Sequence, residues 1–199
     1  LGELMVKATP LLLIALGLAV CFRSNVWNIG AEGQFVMGAI AAGGVALMAD
    51  KTTGSWIMLA VLLAGTLGGM AWGGLTALLR DKFNANEILV SLMLVYVAIL
   101  VLSYLVFGPW KDPMGYNFPQ TRAFEKATQI PRLMAGSRMN IGLLIALAGS
   151  AVLWLFLFRS RAGFAQQVSG LAPAAARYAG FSSRRALWTA LLVSGGAAG

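Results

Sequence analysis

Three side chains that can hydrogen-bond to a polar ligand, Asn28, Glu32 and Gln34, lie between two long apolar runs. The segment that holds them, residues 25–34, also contains two glycines. Amide and carboxylate groups hold a polar solute through hydrogen bonds. At membrane depth, a polar and glycine-containing break is costly unless it lines a cavity or packs against protein. The segment therefore indicates either a polar lining for a solute or a plain turn between two helices.

Three further polar residues, Asn84, Asn86 and Glu87, lie at the start of another apolar run. Together with the first three they are candidates for lining a solute pathway, because a hydrophilic solute needs hydrogen-bond partners but no full charges. The two glutamates among the six are the acidic residues nearest to membrane depth. They have an alternative role, which is to pair with Arg23 or Lys82 at a helix end.

The residue types do not favour catalysis. Histidine is absent, and with it the usual catalytic base and the commonest metal ligand. The one cysteine, Cys21, lies inside an apolar run and is expected to be a small buried hydrophobe. The sequence therefore predicts no catalytic residue and no metal site.

The composition is that of an integral membrane protein. The residues are 59% hydrophobic and 11% charged, with a mean hydropathy of +0.78. Soluble domains have about 45–50% apolar and about 25% charged residues. The net charge of +8 comes from basic residues between the apolar runs, which fits loops at anionic lipid headgroups better than nucleic-acid binding. Because the chain does not begin with Met and stops inside an apolar run, we expect it to be a piece of a longer protein.

Five apolar stretches are long enough to span a membrane as helices, which needs about 17–25 residues each. A sixth stretch begins at Ala186 and is cut off. The prediction is a single all-α, polytopic membrane domain over residues 1–199, with a broken or re-entrant polar segment. The five stretches are Leu4 to Phe22, Gly33 to Ala49, Thr52 to Leu79, Ile88 to Trp110 and Met139 to Phe158.

Small residues recur at helical spacing in the third stretch, where Gly65, Gly69, Gly73 and Ala77 share one face. Such a face lets helix backbones approach closely in lipid. The sequence therefore predicts that these glycines pack against other helices of a compact bundle. The preceding stretch repeats the spacing with Gly38, Ala42 and Ala46.

Alternating helices would place Arg23, residues 80–82 and residues 159–185 on one side of the membrane. The basic residues on the two sides are nearly equal in number, but tight arginine pairs stand at both ends of 159–185. Positive charge near helix ends favours the cytoplasmic side. We therefore expect residues 159–185 to be cytoplasmic and residues 108–138 to be an external loop.

The string Asn28-Ile-Gly-Ala-Glu-Gly-Gln34 resembles a signature of the permease subunits of bacterial ABC importers for nucleosides and simple sugars. Three more segments resemble that family in the same order, and together they extend the resemblance from Thr9 to Gly199. They are Asn86-Glu87-Ile88, the Gly-Pro-Trp-Lys-Asp-Pro string at 108–113, and residues 170–180. The resemblance implies a subunit of the bacterial inner membrane that works by alternating access. It binds no cofactor, since ATP and Mg²⁺ belong to a partner ATPase.

Residues 170–180 resemble the coupling loop on which that ATPase acts. Proline suits the first turn of a helix and glycine its end, so the sequence predicts one or two helical turns along the membrane surface. The family commonly has Asn before the proline, whereas Ala172 stands here and cannot cap the helix. An interfacial linker without a partner is the alternative. The residues that the resemblance implies for ATPase coupling are Gly170, Pro173, Arg177, Tyr178 and Gly180.

Residues 108–138 form the longest polar stretch, and Trp110 suits the lipid–water interface. The resemblance implies that Trp110, Lys111 and Asp112 meet an extracytoplasmic solute-binding protein, and a plain connector is the alternative. It also implies two cytoplasmic ATP-binding subunits and a second permease subunit. An ion-coupled secondary transporter and a membrane-embedded enzyme are the competing functions.

Overall fold

The computed structural model describes residues 2–49, 54, 56–115, 118–131 and 140–199. Within these ranges the chain forms eight α-helices, a short 3₁₀ helix at Lys126–Thr128 and no β-strand, which confirms the all-α prediction. The helices are α1 (Gly2–Arg23), α2 (Ala31–Leu47), α3 (Ile57–Phe83), α4 (Glu87–Phe107), α5 (Gly142–Arg159), α6 (Arg161–Leu171), α7 (Pro173–Tyr178) and α8 (Ser183–Ala198).

Four helices, α1, α3, α4 and α5, are long and apolar enough to cross a membrane. The remaining predicted stretch forms α2, whose 17 residues extend about 25 Å. Helix α3 does not end at Leu79 but continues through three charged residues to Phe83, because Arg and Lys are good helix formers. Two predicted starting points, Thr52 and Met139, lie outside the described residues.

The segment between α5 and α8 contains a helix that we did not predict. Helix α6 begins after Ser160, whose hydroxyl accepts a hydrogen bond from the Gly163 amide at 2.9 Å. This side-chain cap satisfies one of the amides that a helix start leaves without a partner. Residues 159–185 are therefore a pair of helices with short connections and not an extended loop.

The short helix predicted from the proline and the glycine is confirmed as α7. Pro173 occupies the first turn, and Ala172 supplies no side-chain cap. Gly180 adopts a φ of 79°, a left-handed conformation that glycine tolerates without strain. The Phe181 amide donates to the Ala176 carbonyl at 2.9 Å, which completes a Schellman ending.

Helix α3 is the centre of the bundle and packs mainly on α2 and α8. The glycine row lies in the contact with α8, where the two backbones touch. A Cβ placed on Gly69 would lie 2.2 Å from the Gly195 carbonyl oxygen, and one on Gly73 would lie 2.5 Å from the Leu191 oxygen. Glycine is therefore required at these positions for the observed helix separation.

The bundle has two ends. At one end, which we call the α7 end, α1, α3 and α5 finish, α4 and α8 begin, and α6 and α7 lie across them. Three contacts join the elements there: Arg23 lies 4.7 Å above the Phe158 ring, Arg80 pairs with Glu87, and Arg184 pairs with Asp81 at 2.7 Å. The charged segments expected on one side of the membrane therefore do lie together.

At the opposite end, the described part of residues 108–138 folds over the end of α2. We call this the loop end. The Arg122 guanidinium donates to the Leu47 carbonyl, and the Asp112 amide donates to the Gln120 carbonyl at 2.9 Å. The part of the loop from 132 to 138 lies outside the described residues.

Matched glycine substitutions on α3 test the backbone contact. We expect Gly69→Ala to lower the thermal midpoint in detergent, because the added methyl group must separate α3 from α8. Gly74→Ala is the control, since its Cβ would meet only side-chain atoms at ordinary contact distance, of Leu192 at 3.4 Å and of Trp188 at 3.9 Å. Alanine gains roughly 0.5–1 kcal/mol over glycine within a helix, so the control should be neutral or stabilising. Equal midpoints for both variants would contradict the predicted packing role.

Candidate functional site

The segment between α1 and α2 turns back into the bundle. Asn25 has a φ of 55°, and the amide of Val26 donates to the Cys21 carbonyl at 3.0 Å, which closes a tight turn after α1. Asn28 then contacts Ser194, which lies about 16 Å along α8 from its first residue at 1.5 Å per residue. The chain therefore re-enters between the helices, and the predicted break in the helical pattern is confirmed.

Asn28 and Gln34 meet Ser194 in a buried hydrogen-bonded group, which we call the amide cluster. The three residues are 4%, 1% and 1% exposed, respectively. The Asn28 Nδ2 donates to Gln34 Oε1 at 3.0 Å and to Ser194 Oγ at 2.9 Å. The Asn28 Oδ1 accepts from Gln34 Nε2 at 3.3 Å and from the Gly30 amide at 3.0 Å. In this conformation the amide of Asn28 makes all its hydrogen bonds within the protein.

Glycines make room for this group. A Cβ on Gly30 would lie 2.8 Å from the Ser91 side chain of α4, and a Cβ on Gly73 would lie 3.2 Å from Gln34 Nε2. The glycine in the re-entrant segment therefore lets its backbone approach α4. Gly73 in α3 leaves the space in which the Gln34 amide lies against that helix.

The other four predicted pathway residues are separate from the amide cluster. Glu32 is exposed in the first turn of α2, where a carboxylate is favoured by the helix dipole. Asn84 is exposed and ends α3 in a left-handed conformation, with a φ of 50°. Asn86 caps α4 by accepting from the Ile88 amide at 2.9 Å. These three residues have ordinary helix-end surroundings.

Glu87 forms an ion pair with Arg80, and the predicted alternative of a pair with Lys82 is wrong. Arg80 and Lys82 are two positions apart on α3, so their side chains point about 200° apart around the helix axis. Only Arg80 is on the side that α4 occupies, whereas Lys82 is exposed. The pair ties the end of α3 to the start of α4.

Two features of the site were not predicted. The first is Ser194, a single hydroxyl in a run of small and apolar residues. Nothing in the sequence indicated that this residue would lie beside Asn28. The second is Asp81, which accepts hydrogen bonds from Arg184 Nε at 2.7 Å and from Trp188 Nε1 at 3.1 Å. The sequence did contain a signal for this contact. Asp81 is an acidic residue between two basic ones, and a second basic pair, Arg184 and Arg185, follows later in the chain.

Helix α6 presses on the turn that follows α1. The Ser24 hydroxyl donates to Gln166 Oε1, and a Cβ on Gly170 would lie 2.4 Å from the Arg23 carbonyl oxygen and 3.0 Å from the Asn25 amide nitrogen. Backbone therefore touches backbone where α6 ends. A displacement of α6 at this point must displace the start of the re-entrant segment.

Helix α7 presents most of its surface outward. Its only buried residue is Ala176, whereas Arg177 is exposed and Tyr178 is 96% exposed. An exposed aromatic residue beside an arginine is typical of a protein contact, because these two residue types are enriched among the residues that dominate binding energy. Of the other coupling candidates, Gly170 faces the turn after α1, and Pro173 begins α7.

The three residues expected to meet a binding protein lie in a folded loop. Trp110 packs over α2, with its ring 3.4 Å from where a Cβ on Gly44 would be. Lys111 pairs through its backbone with Thr121 in an isolated bridge, and the Asp112 carboxylate accepts from the Met114 amide at 3.0 Å. Trp110 and Lys111 line a cavity of about 360 Å³ at the loop end, together with Arg122 among others. The indole therefore packs against α2.

Metal ligands do not cluster in the described ranges: no group of three or more His, Cys, Asp or Glu is placed to hold an ion. Cys21 is free and buried, and its thiol donates to the Ala190 carbonyl at 3.4 Å. It packs in an apolar core with Val20 and Leu191, as expected of a small hydrophobe.

Several apolar helices and a re-entrant polar segment with a buried amide cluster define a multi-pass helical membrane protein. Comparison with known sequences gives the particular class. The sequence profile of the family described as the branched-chain amino acid transport system permease component matches residues 1–199, and the chain belongs to that family.

Three relatives illustrate the family. The chain is 35% identical to the glucose ABC transporter permease protein of Haloferax volcanii over 99% of this chain and 54% of that protein. Identity is 30% to the guanosine ABC transporter permease protein of Bacillus subtilis, and 27% to the nucleoside ABC transporter permease protein of Lactococcus lactis subsp. cremoris. Both of these matches cover 100% of this chain and 57% of the relative. The chain thus spans about half the length of the curated relatives it matches, and no solved structure matches it.

Paired serine substitutions test the amide cluster. We expect Ser194→Ala to lower the free energy of unfolding by about 1 kcal/mol and to reduce transport, because a buried Asn28 N–H loses its acceptor. The control is Ser150→Ala, whose hydroxyl bonds only to the carbonyl of its own helix, at Ala146. Thermal unfolding in detergent and solute uptake would be measured for both. A Ser194→Ala variant indistinguishable from the control would show that Asn28 does not depend on this bond.

Proposed function

We propose that the protein containing this chain is the membrane-spanning subunit of an ATP-driven importer for small polar solutes, namely nucleosides or simple sugars, that works by alternating access. Family membership supports this, as do relatives named as ABC transporter permeases for glucose, guanosine and nucleosides. The structural observation that carries the proposal is the contact of α6 with the turn at Asn25. It links the exposed helix α7 to the amide cluster.

The link has three parts. Helix α7 follows α6 after a single residue, Ala172. The end of α6, at Gly170, touches the backbone of Arg23 to Asn25 without a gap. Asn28 in the amide cluster is only three residues farther along the chain. A partner that moves α7 therefore displaces α6, and α6 displaces the re-entrant segment, since close-packed backbones transmit shifts.

In this mechanism the partner hydrolyses ATP and this chain does not act as an enzyme. ATP and Mg²⁺ are bound by two cytoplasmic ATP-binding subunits, one of which contacts Arg177 and Tyr178. The chain itself binds no cofactor. The chain transmits movement, because a conformational change in a partner subunit reaches the re-entrant segment through α7 and α6.

The amide cluster suits an uncharged polar solute. Its three side chains carry hydrogen-bond donors and acceptors but no ionisable group. When the re-entrant segment moves, bonds within the cluster can be exchanged for bonds to solute hydroxyl or amide groups. An ion-coupled transporter would place acidic residues in such a group, whereas Glu32 and Glu87 lie apart from it.

The proposed location is the bacterial inner membrane, with the α7 end in the cytoplasm. The loop end then faces outward, where Trp110, Lys111 and Asp112 are near the surface that meets a solute-binding protein. A second permease subunit completes the pathway. The arginine pairs at 159/161 and 184/185 lie on the cytoplasmic side in this orientation, which agrees with the positive-inside rule.

Cysteine labelling tests the orientation. In a Cys21→Ala background, Gln120→Cys should react with a membrane-impermeant thiol reagent from outside intact cells, and Ser182→Cys only after permeabilisation. Both positions are exposed, and they lie at opposite ends of the bundle. Gln166 is buried and unsuitable, and Tyr116 lies outside the described residues. Labelling of both positions from the same side would show that the order of spans is wrong.

Three substitutions around α7 test the coupling. We expect Arg177→Glu and Tyr178→Ala to weaken pull-down of the ATPase partner and to lower ATP-dependent uptake, because loss of a dominant contact often costs about 2 kcal/mol or more. Gly170→Ala should behave differently. It should leave the pull-down intact while uptake falls, since it forces α6 away from Arg23 and not α7 away from its partner.

The assay is uptake by the reconstituted complex, beside ATP hydrolysis and pull-down. Arg161→Glu is the control, because this exposed arginine begins α6, nine residues before the contact at Gly170, and does not belong to α7. Uptake that continues without ATP, responds to an ion gradient and ignores all three substitutions would favour the secondary transporter. If uptake is normal in Gly170→Ala but reduced in Arg177→Glu and Tyr178→Ala, the proposed link through α6 is wrong, whereas the docking role of α7 stands.

A further inference from the structure

A cavity of about 400 Å³ lies at the α7 end, between α7 and the ends of α1, α3 and α8. We call it the basic cavity. Its volume is within the range of about 300–1,000 Å³ that small-molecule sites occupy. Its charged lining residues are Arg80, Asp81, Arg177 and Arg184, and Ser169 is among its polar ones.

The charges of the basic cavity do not cancel. Arg80 is paired with Glu87, and Arg184 is paired with Asp81. Arg177 makes no ion pair with any carboxylate in the part of the chain that the structure describes. One positive charge therefore remains in excess, and it is at the exposed side of the cavity.

Ser169 provides an independent sign of a ligand. The residue is only 7% exposed, it lines the basic cavity, and its hydroxyl has no hydrogen-bond partner within the described ranges. A buried polar group without a partner is uncommon and destabilising. A ligand oxygen in the cavity would accept the proton of this hydroxyl and remove the cost.

We propose that the basic cavity binds the oxyanion of a phosphate group, held by the Arg177 guanidinium and the Ser169 hydroxyl. A phosphodiester carries one negative charge, which matches the single unpaired cation, and arginine binds phosphate oxygens in a forked geometry. The favoured source is the headgroup of an anionic phospholipid, since basic pockets between helices at the membrane surface bind such headgroups. Free phosphate has the same chemistry and is the second source. The proposal does not depend on an importer function.

Native mass spectrometry of the delipidated full-length protein tests the site. The two probes are short-chain phosphatidylglycerol and inorganic phosphate, each titrated into wild type and variants. We expect Arg177→Gln to weaken phosphatidylglycerol binding about tenfold, because a charged hydrogen bond is lost. Ser169→Ala should weaken it about threefold, which is a typical effect of one neutral hydrogen bond. Arg177→Lys keeps the charge but loses the paired N–H donors of the guanidinium. The affinity of this variant for phosphatidylglycerol should therefore lie between those of wild type and Arg177→Gln.

Arg161→Gln is the matched control, since it removes an exposed arginine that does not line the basic cavity. Thermal midpoints of all variants show whether each remains folded, and Ser169→Ala changes too little volume to disturb the fold. If phosphate alone binds and depends on Arg177 and Ser169, the oxyanion site stands and its occupant is free phosphate. Binding that Arg161→Gln weakens as much as Arg177→Gln would reveal general surface attraction and overturn the site. If neither phosphatidylglycerol nor phosphate binds, the site is overturned as well.

Discussion

The backbone contact between α3 and α8 is the constraint on which the other features depend. Gly69 meets Gly195 and Gly73 meets Leu191 at distances that no side chain could share. In a lipid environment, where apolar surface gives helices no hydrophobic reason to associate, such close packing supplies the attraction. The contact also fixes the register of α8. That register carries Ser194 to Asn28 and, more than two turns earlier on the same helix, Arg184 to Asp81.

The register of α8 in turn explains why a polar segment is tolerated inside the bundle. Asn28 would be costly there without partners, because a buried amide loses its hydrogen bonds to water. Ser194 and Gln34 replace those bonds. The arrangement also holds the re-entrant segment in one place until something moves it. A transport protein needs such a segment to be stable in one conformation and to have an alternative set of partners in another.

The two ends of the bundle are built differently. At the loop end, the Arg122 side chain and Trp110 fasten the described part of the loop to α2. At the α7 end, charged groups dominate. The Arg23–Phe158 and Arg184–Asp81 contacts join elements that are distant in sequence, and the Arg80–Glu87 pair joins the consecutive helices α3 and α4. Charge is cheaper near water than within lipid, so the ion pairs are at a helix end where they can connect elements without a large desolvation cost. In the basic cavity, one arginine at this end, Arg177, has no ion-pair partner among the described residues.

The sequence by itself determined the features that arise from local chemistry. Apolar runs long enough for a bilayer predicted the helices, a proline and a glycine predicted both ends of α7, and the row from Gly65 to Gly73 marked a face for close packing. Tertiary structure decided which side chains contact one another. Side chains 166 positions apart in sequence, Asn28 and Ser194, form one cluster, whereas Asn84 and Asn86 serve helix ends. Residue types and spacing reveal a helix and its faces, but hydrogen-bond partners depend on helix register, and register is fixed only when the backbones pack.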